Sequence, residues 1–318
     1  MKKPIKLRWV LAHIPYDLFL RSASIFAKKV HEKSNGQIEI EILGADEYID
    51  KYMSGEQVDT VEGVQFASLV NDGVVEMSQM YNTTLTHYNN DLNVLELPFL
   101  FNDHQHAAKV LDGEIGLGML QDLSNKSNIR GLAFTYSGGF RMIVGNEPVT
   151  VDNLKGQRVR TSSSKAAQKT FESAGATPVN VPIYKTTQAL KDGVVDIGEN
   201  TWARYFRTNV DSVSRCVTDS KHSLFLTAII INKQVWESLG TEMQECMQAA
   251  ALEAAAGERA ESLEDNEAAI ARCKLEGIPV VEWDAAEVAK YKELTQPVYD
   301  YFEDQLPAGL IKSIQTIQ

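Results

Sequence analysis

Arg160 and Asn200 are the residues of this sequence whose types and positions most clearly suggest a chemical role. Arg160 ends the run Gln-Arg-Val-Arg, and Asn200 ends the run Asp-Ile-Gly-Glu-Asn. A planar guanidinium binds a carboxylate through two parallel hydrogen bonds, which a lysine ammonium does not reproduce. These residues therefore predict a site for an organic anion. The alternative is that Arg160 is a solvated surface residue, as most arginines are. We expect Arg158, two residues earlier, to pair with a surface acid instead.

The segment 149–200 must position these two side chains. Its pattern predicts a strand up to Arg160, a helix, a second strand, another helix and a third strand that ends at Asn200. Strands that alternate with helices of this length predict parallel βαβ units. Because ligands of such sheets bind at the carboxyl ends of the strands, we expect Arg160 and Asn200 to face one cleft.

The remainder of the chain predicts further strands and helices. Strict alternation over 37–43 predicts a strand, and the apolar spacing over 18–34 predicts an amphipathic helix. We read 130–136 and 142–144 as separate strands joined by a domain crossover at Ser137-Gly-Gly, and the strand 224–231 as the return crossover. Residues 241–273 predict one helix of about 50 Å, long enough to touch two lobes.

A length of 318 residues is enough for two domains. We expect lobe I to comprise residues 1–138 and 226–265, and lobe II to comprise 139–225 and 266–318. Residues 69–79 and 190–199 echo each other, with a helix end, an Asp-Gly break and an apolar strand in both. The echo fits two lobes of similar architecture, although similar turn chemistry would also produce it.

Several motifs together resemble the solute-binding receptors of TRAP transporters, the DctP-like family. The resemblance covers nearly the whole chain in order. Its main motifs are Gly-Phe-Arg at 139–141, Asn-Leu-Lys-Gly-Gln-Arg-Val-Arg at 153–160, Ala-Gly-Ala-Thr-Pro at 174–178 and the segment 190–200. It implies an α/β, two-lobed, type II periplasmic-binding-protein-like fold, with a ligand cleft that closes between the lobes by a hinge motion.

The resemblance also implies roles for individual residues. Arg160 matches the arginine that forms a bidentate salt bridge with the ligand carboxylate. Arg141 matches a second position that often contacts the ligand, and Asn200 matches a polar contact at the strand end. The implied ligand is an organic acid, which the receptor delivers to the membrane subunits of a TRAP transporter.

Four further residues are weaker candidates for ligand contacts. Trp202 stands near the position where the family usually has proline after Glu-Asn, so it either lines the pocket or is a hinge or core residue. Gln79 and Tyr81 close the echoed strand, where the family often places a contact. His13 lies in an individual segment near the start of the chain.

Composition and charge restrict the class of protein. An apolar fraction of 44% and a charged fraction of 23% are typical of a water-soluble globular protein. A net charge of −12 argues against a nucleic-acid partner. No run of 18 apolar residues predicts a membrane span. These features fit either a cytoplasmic protein or a mature protein whose leader has been removed. The family resemblance implies the second, a periplasmic protein, and a monomer.

An enzyme on a similar two-lobed fold, such as a small-acid lyase or transferase, is the alternative function. No recognisable nucleophile, dinucleotide or zinc motif supports it, although Asp192, Asp196 and Glu199 lie within eight residues. The three cysteines lack metal-ligand spacing and predict free, buried or half-buried thiols. We therefore expect a binding protein with no metal, no cofactor and no catalytic residues.

Overall fold

A computed structural model describes residues 3–53 and 64–317 of the chain. The sequence predicts mostly helix over 48–72, and part of this segment lies outside the described residues. Within the described ranges, no helix combines the length and the apolar character needed to cross a bilayer.

The described residues form strands and helices in a mixed order. The strands are β1 (Ile5–Leu11), β2 (Ile38–Gly44), β3 (Met77–Tyr81), β4 (Ile129–Gly145), β5 (Arg158–Thr161), β6 (Thr177–Asn180), β7 (Ile197–Thr201), β8 (Cys216–Asp219), β9 (Leu224–Asn232) and β10 (Val280–Glu282). The helices of the first half are α1 (Tyr16–Lys33), α2 (Ala45–Tyr52), α3 (Val64–Asn71), α4 (Asn82–Leu85), α5 (His104–Asp112), α6 (Glu114–Lys126) and α7 (Lys165–Ser173). Those of the second half are α8 (Thr186–Lys191), α9 (Trp202–Tyr205), α10 (Lys233–Ser238), α11 (Thr241–Leu275), α12 (Ala285–Leu294), α13 (Gln296–Glu303) and α14 (Leu310–Gln315).

The chain divides into two compact units. Unit 1 comprises residues 1–89, 108–136 and 226–260, and unit 2 comprises 90–107, 137–225 and 261–318. Residues 90–107, which the sequence analysis placed in lobe I, cluster with unit 2. The 35-residue helix α11 contributes its first part to unit 1 and its second part to unit 2, as the sequence predicted for a helix shared by both lobes.

Unit 1 is built on a mixed sheet. Strand β1 pairs in parallel with β2 and with β3, and β3 pairs antiparallel with β9. Helix α1 covers the sheet with an apolar stripe that recurs every three or four residues, which is the spacing of one helix face. Phe19, Ala23, Phe26 and Val30 on this stripe are buried. The predicted strand over 37–43 and the predicted helix over 18–34 correspond to β2 and α1.

Unit 2 has its own mixed sheet, in which the order of strands is β4-β7-β5-β6. Strands β5, β6 and β7 run parallel, whereas β4 runs antiparallel to β7. The parallel strands are connected by α7 and α8, which confirms the βαβ units predicted for 149–200. Ser164 caps the N-terminus of helix α7. Its side chain accepts a hydrogen bond from the backbone N–H of Ala167 and so satisfies one free amide of the first turn.

Both faces of the unit 2 sheet are covered by apolar side chains. Ile143 of β4 packs in a cluster with Phe171 and Tyr291. Its neighbours Met142 and Val144 pack in a second cluster with Tyr205. Successive residues of a strand point to opposite faces, so β4 serves both clusters at once. Polar side chains in this sheet are therefore accommodated at the strand ends.

Strand β4 differs from the prediction, because 129–145 form one strand of 17 residues instead of two strands joined at Ser137-Gly-Gly. Gly138 and Gly139 lie within it with φ of 94° and 77°. Glycine adopts these angles without steric cost, so the pair bends the backbone while the strand continues. A side chain at position 138 would also collide with Thr201, because its Cβ would lie 2.4 Å from the Thr201 hydroxyl oxygen.

Replacing Gly138 with alanine tests this requirement, with Gly156→Ala as a matched control. Both residues have positive φ, but a Cβ at position 156 meets no atom within 4 Å. Both variants should lose about 1–2 kcal/mol to the left-handed backbone. Gly138→Ala should lose a further ~1–3 kcal/mol through overpacking. Urea titration followed by circular dichroism gives the free energies of unfolding. Equal losses in the two variants would contradict the packing requirement.

Candidate functional site

Arg160 and Asn200 lie on neighbouring parallel strands of unit 2. Strands β5 and β7 pair so that Arg160 is opposite Gly198, two residues before Asn200. Arg160, Gly198 and Asn200 therefore share one face of the sheet near the carboxyl ends of both strands. Gly198 lies close to Arg160, since a Cβ at position 198 would be in van der Waals contact with the Arg160 Cβ at 3.7 Å. The structure thus brings together the two residues that the sequence placed at one site.

The guanidinium of Arg160 is buried and held in a fixed orientation. Its Nε donates a hydrogen bond of 2.8 Å to the carbonyl oxygen of Val181, and its Nη1 donates one of 3.3 Å to the carbonyl oxygen of Glu199. Only 5% of the residue is exposed. Two backbone carbonyls from different segments fix the plane of the guanidinium, which is the arrangement that a bidentate contact with a carboxylate requires.

Asn200 presents a buried amide with unused hydrogen-bonding capacity. Its Oδ1 accepts a hydrogen bond of 2.8 Å from the backbone N–H of Thr201. Its Nδ2 has no hydrogen-bond partner within the described part of the chain. An unsatisfied buried donor costs about 1–3 kcal/mol, so such a group is usually explained by a missing partner.

Arg141 lies on the other face of the same sheet and is paired with an acid. Strand β4 places it opposite Thr201, and its Nη1 lies 3.1 Å from Oε2 of Glu199. Its guanidinium carbon lies 3.8 Å from the centre of the Phe225 ring, in a cation–π contact. Arg141 is 5% exposed, so this ion pair is shielded from solvent.

Glu199 connects the arginines with a histidine. Its Oε1 lies 3.2 Å from Nε2 of His222, and Nδ1 of His222 lies 2.7 Å from the hydroxyl of Ser220. Burial by itself raises the pKa of the Glu199 carboxyl. The charges of Arg141 and Arg160 and the hydrogen bond with His222 outweigh burial, and the pKa lies below its ordinary value. Glu199 is therefore ionised at neutral pH.

The role of Glu199 and the involvement of His222 were not predicted from the sequence, in which Glu199 is one of three acids in a short segment. The available signal was the position of an acidic residue directly before Asn200 on an otherwise apolar strand, which implies a buried carboxylate with a cationic partner. Nothing in the sequence linked it to His222, because the two residues are 23 positions apart.

Trp202 follows these strands and is 4% exposed. It packs in the second apolar cluster of unit 2, with Met142 and Tyr205. Burial raises the pKa of the nearby Asp219 carboxyl, and the Trp202 indole acts in the opposite direction. Trp202 therefore occupies a core position, which is one of the alternatives that the sequence left open. Its contact with a solute stays a prediction.

Gln79, a candidate ligand contact in unit 1, is held in a polar network. Both sides of the Gln79 amide are engaged, because Oε1 accepts from Ser22 and Nε2 donates to the hydroxyls of Thr135 (2.8 Å) and Thr227 (2.9 Å). Gln79 is 1% exposed, and this polar network ties β3 to β4 and β9. A direct contact between Gln79 and a ligand stays a prediction.

His13 and Tyr81 stack within unit 1. Their ring centres are 3.8 Å apart, and Phe19 contacts both rings at 5.2 Å and 5.9 Å. His13 is 1% exposed, whereas Tyr81 is half-buried. The cis peptide bond between Ile14 and Pro15 immediately follows His13. The stack provides flat aromatic surface, and its part in ligand binding stays a prediction.

Other side chains that could take part in chemistry are explained by the structure or are not grouped into a site. Arg158 pairs with Asp196 on the surface, as the sequence predicted. Cys216 and Cys273 are free and buried, and Cys246 is free and half-buried, which confirms the prediction for the thiols. Within 3–53 and 64–317, no cluster of three or more His, Cys, Asp or Glu side chains is arranged to hold a metal ion.

Comparison with known proteins identifies the family. The family model for bacterial extracellular solute-binding proteins of family 7, named DctP, matches residues 15–305. The C4-dicarboxylate-binding periplasmic protein DctP of Rhodobacter capsulatus is 28% identical over 99% of this chain and 91% of its own length. A TRAP periplasmic solute-binding protein of Ochrobactrum anthropi, with its C-terminus bound in the ligand-binding pocket, is 27% identical. Its TM-score is 0.86, with 98% of this chain and 94% of that chain covered.

A second solved structure comes from Roseobacter denitrificans. It is a TRAP periplasmic solute-binding protein with bound β-D-glucuronate, 26% identical, with a TM-score of 0.84 over 98% of this chain and 100% of that chain. These likenesses confirm the predicted fold class, that of the TRAP periplasmic binding proteins. The chain belongs to family 7 of the bacterial extracellular solute-binding proteins. This is a family of receptors and not of enzymes, so the alternative lyase or transferase function is not supported.

Replacing Glu199 with glutamine should destabilise unit 2 by about 3–5 kcal/mol at pH 7, because Arg141 loses its buried counter-charge. The lowered pKa means that this stabilisation is present above the unfolded-state pKa of about 4.3 and is lost as the pH falls through the folded-state value. The difference between wild type and variant should therefore shrink at acid pH. Urea titrations at several pH values measure it.

Glu172→Gln is the control, since Glu172 is an exposed carboxylate on α7. The same chemical change there should alter the free energy of unfolding by less than ~0.5 kcal/mol. An equal, small effect at both positions would show that the ion pair with Arg141 does not stabilise the fold.

Proposed function

We propose that this protein is the extracytoplasmic receptor of a TRAP transporter and that it binds an organic acid through a salt bridge between Arg160 and the ligand carboxylate. The observation that carries the proposal is the buried Nδ2 of Asn200, a donor without a partner among the described residues. It lies on the same sheet face as the buried and oriented guanidinium of Arg160.

The arrangement of Arg160 is the reason to expect an anionic ligand. Its guanidinium is buried, and the carbonyl oxygens of Val181 and Glu199 orient it. A guanidinium held in a fixed plane binds a carboxylate through two parallel hydrogen bonds. An ion pair in such a shielded place is also stronger than one in water.

Asn200 is the second proposed contact with the ligand. It shares a sheet face with Arg160, and its buried Nδ2 donor lacks a partner among the described residues. A carboxylate or hydroxyl oxygen of the ligand would accept this hydrogen bond. An apolar molecule would leave the donor unsatisfied, which gives the site selectivity against neutral hydrocarbons.

The relatives narrow the class of acid. The Rhodobacter protein is named for C4-dicarboxylates, and the Roseobacter structure contains β-D-glucuronate. Both ligands combine a carboxylate with further oxygen atoms. We therefore propose a small polar acid of this kind, a sugar acid or a dicarboxylate, as the solute of this chain.

The proposal includes a location and partners. Relatives with this fold are periplasmic, and the receptor would act in the same compartment. It would deliver the acid to the membrane subunits of its transporter, and it would work as a monomer. The domain boundaries and the closure of the lobes around the ligand stay predictions from the sequence.

Arg160→Ala should weaken binding of the cognate acid by about 2–5 kcal/mol, or roughly 30- to 5,000-fold in the dissociation constant, because a buried ion pair is lost. Arg158→Ala is the matched control from the same strand, since its side chain is exposed and pairs with Asp196. It should leave the dissociation constant nearly unchanged. Calorimetric titration of both folded variants provides the comparison. An unchanged constant in Arg160→Ala would refute the assignment.

A thermal-shift screen tests the ligand class. Saturation at 100 times the dissociation constant stabilises a receptor by about 2.7 kcal/mol, which corresponds to a shift of several degrees. We expect shifts with sugar acids or C4-dicarboxylates and none with the matching amides or neutral sugars. Shifts by neutral compounds alone would contradict a carboxylate anchor.

A further inference from the structure

Unit 2 contains a cavity that is separate from the cluster around Arg160. Its volume is 710 Å³, which lies within the range of about 300–1,000 Å³ that is common for small-molecule sites. Arg141 and Arg160 do not line it, and neither do Glu199 and Asn200. Its wall combines the loop 219–221, the start of α5, part of α11 and residues of α12.

Aromatic rings form much of this wall. Phe101, Phe140, Trp202 and Trp283 line the cavity and are each less than 10% exposed. The ring of His104 lies against Phe140, with 4.7 Å between the ring centres. The Trp283 indole N–H is engaged with the carbonyl oxygen of Val149 at 2.7 Å. The rings are therefore held in place and offer flat apolar surface to an occupant.

A buried carboxylate is the main polar group of the cavity. Asp219 is 5% exposed, and its carboxylate lies 3.3 Å from the Lys221 ammonium. Burial raises the pKa of this carboxyl above its ordinary value, although Lys221 and the Trp202 indole act in the opposite direction. The Lys221 side chain is 55% exposed and also reaches Glu282 at 3.7 Å. The ammonium group beside the buried Asp219 carboxylate therefore belongs to an exposed lysine.

The charge of the lining favours a cation. Four carboxylates and two lysine ammonium groups line the cavity, so negative charge exceeds positive charge by two. The carboxylates are those of Asp103, Asp219, Glu267 and Glu282. Burial lowers the pKa of His104, so its ring adds no positive charge at neutral pH. The faces of aromatic rings attract cations as well.

We propose that this cavity is a second binding site, for a small organic cation that carries an ammonium group on an aromatic body. The ammonium replaces that of Lys221 beside Asp219, and the aromatic body lies against Trp202, Phe140 and Trp283. The site has the opposite charge preference to the cluster at Arg160, so the two sites take different ligands.

The binding test compares three probes of similar size and different charge: phenethylammonium, phenylacetamide and phenylacetate. Calorimetric titration of the full chain should detect phenethylammonium, with at least tenfold weaker binding of the neutral amide and of the anion. The fluorescence of Trp202 and Trp283 should change over the same concentration range. Equal binding of the amide and the ammonium compound would overturn the proposal.

Two substitutions give opposite expected results. Asp219→Asn keeps the side-chain size and an oxygen for the Trp202 indole, and it should weaken phenethylammonium binding at least tenfold. Lys221→Gln removes the competing ammonium and should strengthen the binding several-fold. If the cavity instead took anions, Lys221→Gln would weaken the binding of phenylacetate. Glu172→Gln, an exposed substitution on α7 outside the cavity, should leave all three titrations unchanged.

Melting curves distinguish loss of a site from loss of the fold. Lys221 is exposed, so Lys221→Gln should fold even if Asp219→Asn does not. In that case the titration of Lys221→Gln with phenethylammonium tests the proposal by itself. The Arg160→Ala protein should bind phenethylammonium like the wild type, because Arg160 does not line the cavity. Loss of this binding in folded Arg160→Ala protein, or no gain in Lys221→Gln, would refute a separate cation site.

Discussion

The ionised carboxylate of Glu199 is the constraint on which the site depends. It is fully buried, and it neutralises Arg141 while its own backbone carbonyl orients Arg160. A buried arginine without a counter-charge would destabilise the fold by several kcal/mol. One residue of β7 therefore makes it possible to place a guanidinium group on each of the two strands that flank β7 in a packed sheet.

The fixed orientation of the polar groups is the second property of this site. Two backbone carbonyls, one of them that of Glu199, fix the plane of the Arg160 guanidinium. Asn200 adds a buried donor on the same face of the sheet, and its Nδ2 has no partner among the described residues. In the proposed function, oxygen atoms of the ligand accept from both groups, which favours a polar acid over an apolar molecule.

The backbone makes this arrangement possible at one glycine. Gly138 allows β4 to pass close to Thr201 at the end of β7. The apolar clusters on both faces of the sheet hold these strands in register, so the polar groups at their ends are kept in position by packing. The wall of the proposed second binding site includes residues of the same clusters, namely Trp202 and Trp283.

The sequence alone determined the local features of this protein. Alternation and helical spacing gave β2, α1, α11 and the βαβ units, because these patterns depend only on nearby residues. The ends of β5 and β7 placed Arg160 with Asn200, and the motifs indicated the family. Tertiary structure decided the rest. The partnership of Glu199 with His222 and the lining of the cavity join residues that are distant in the chain. The continuity of β4 through two glycines depends on strand pairing. No local pattern encodes such contacts, since they arise only when the whole sheet is packed.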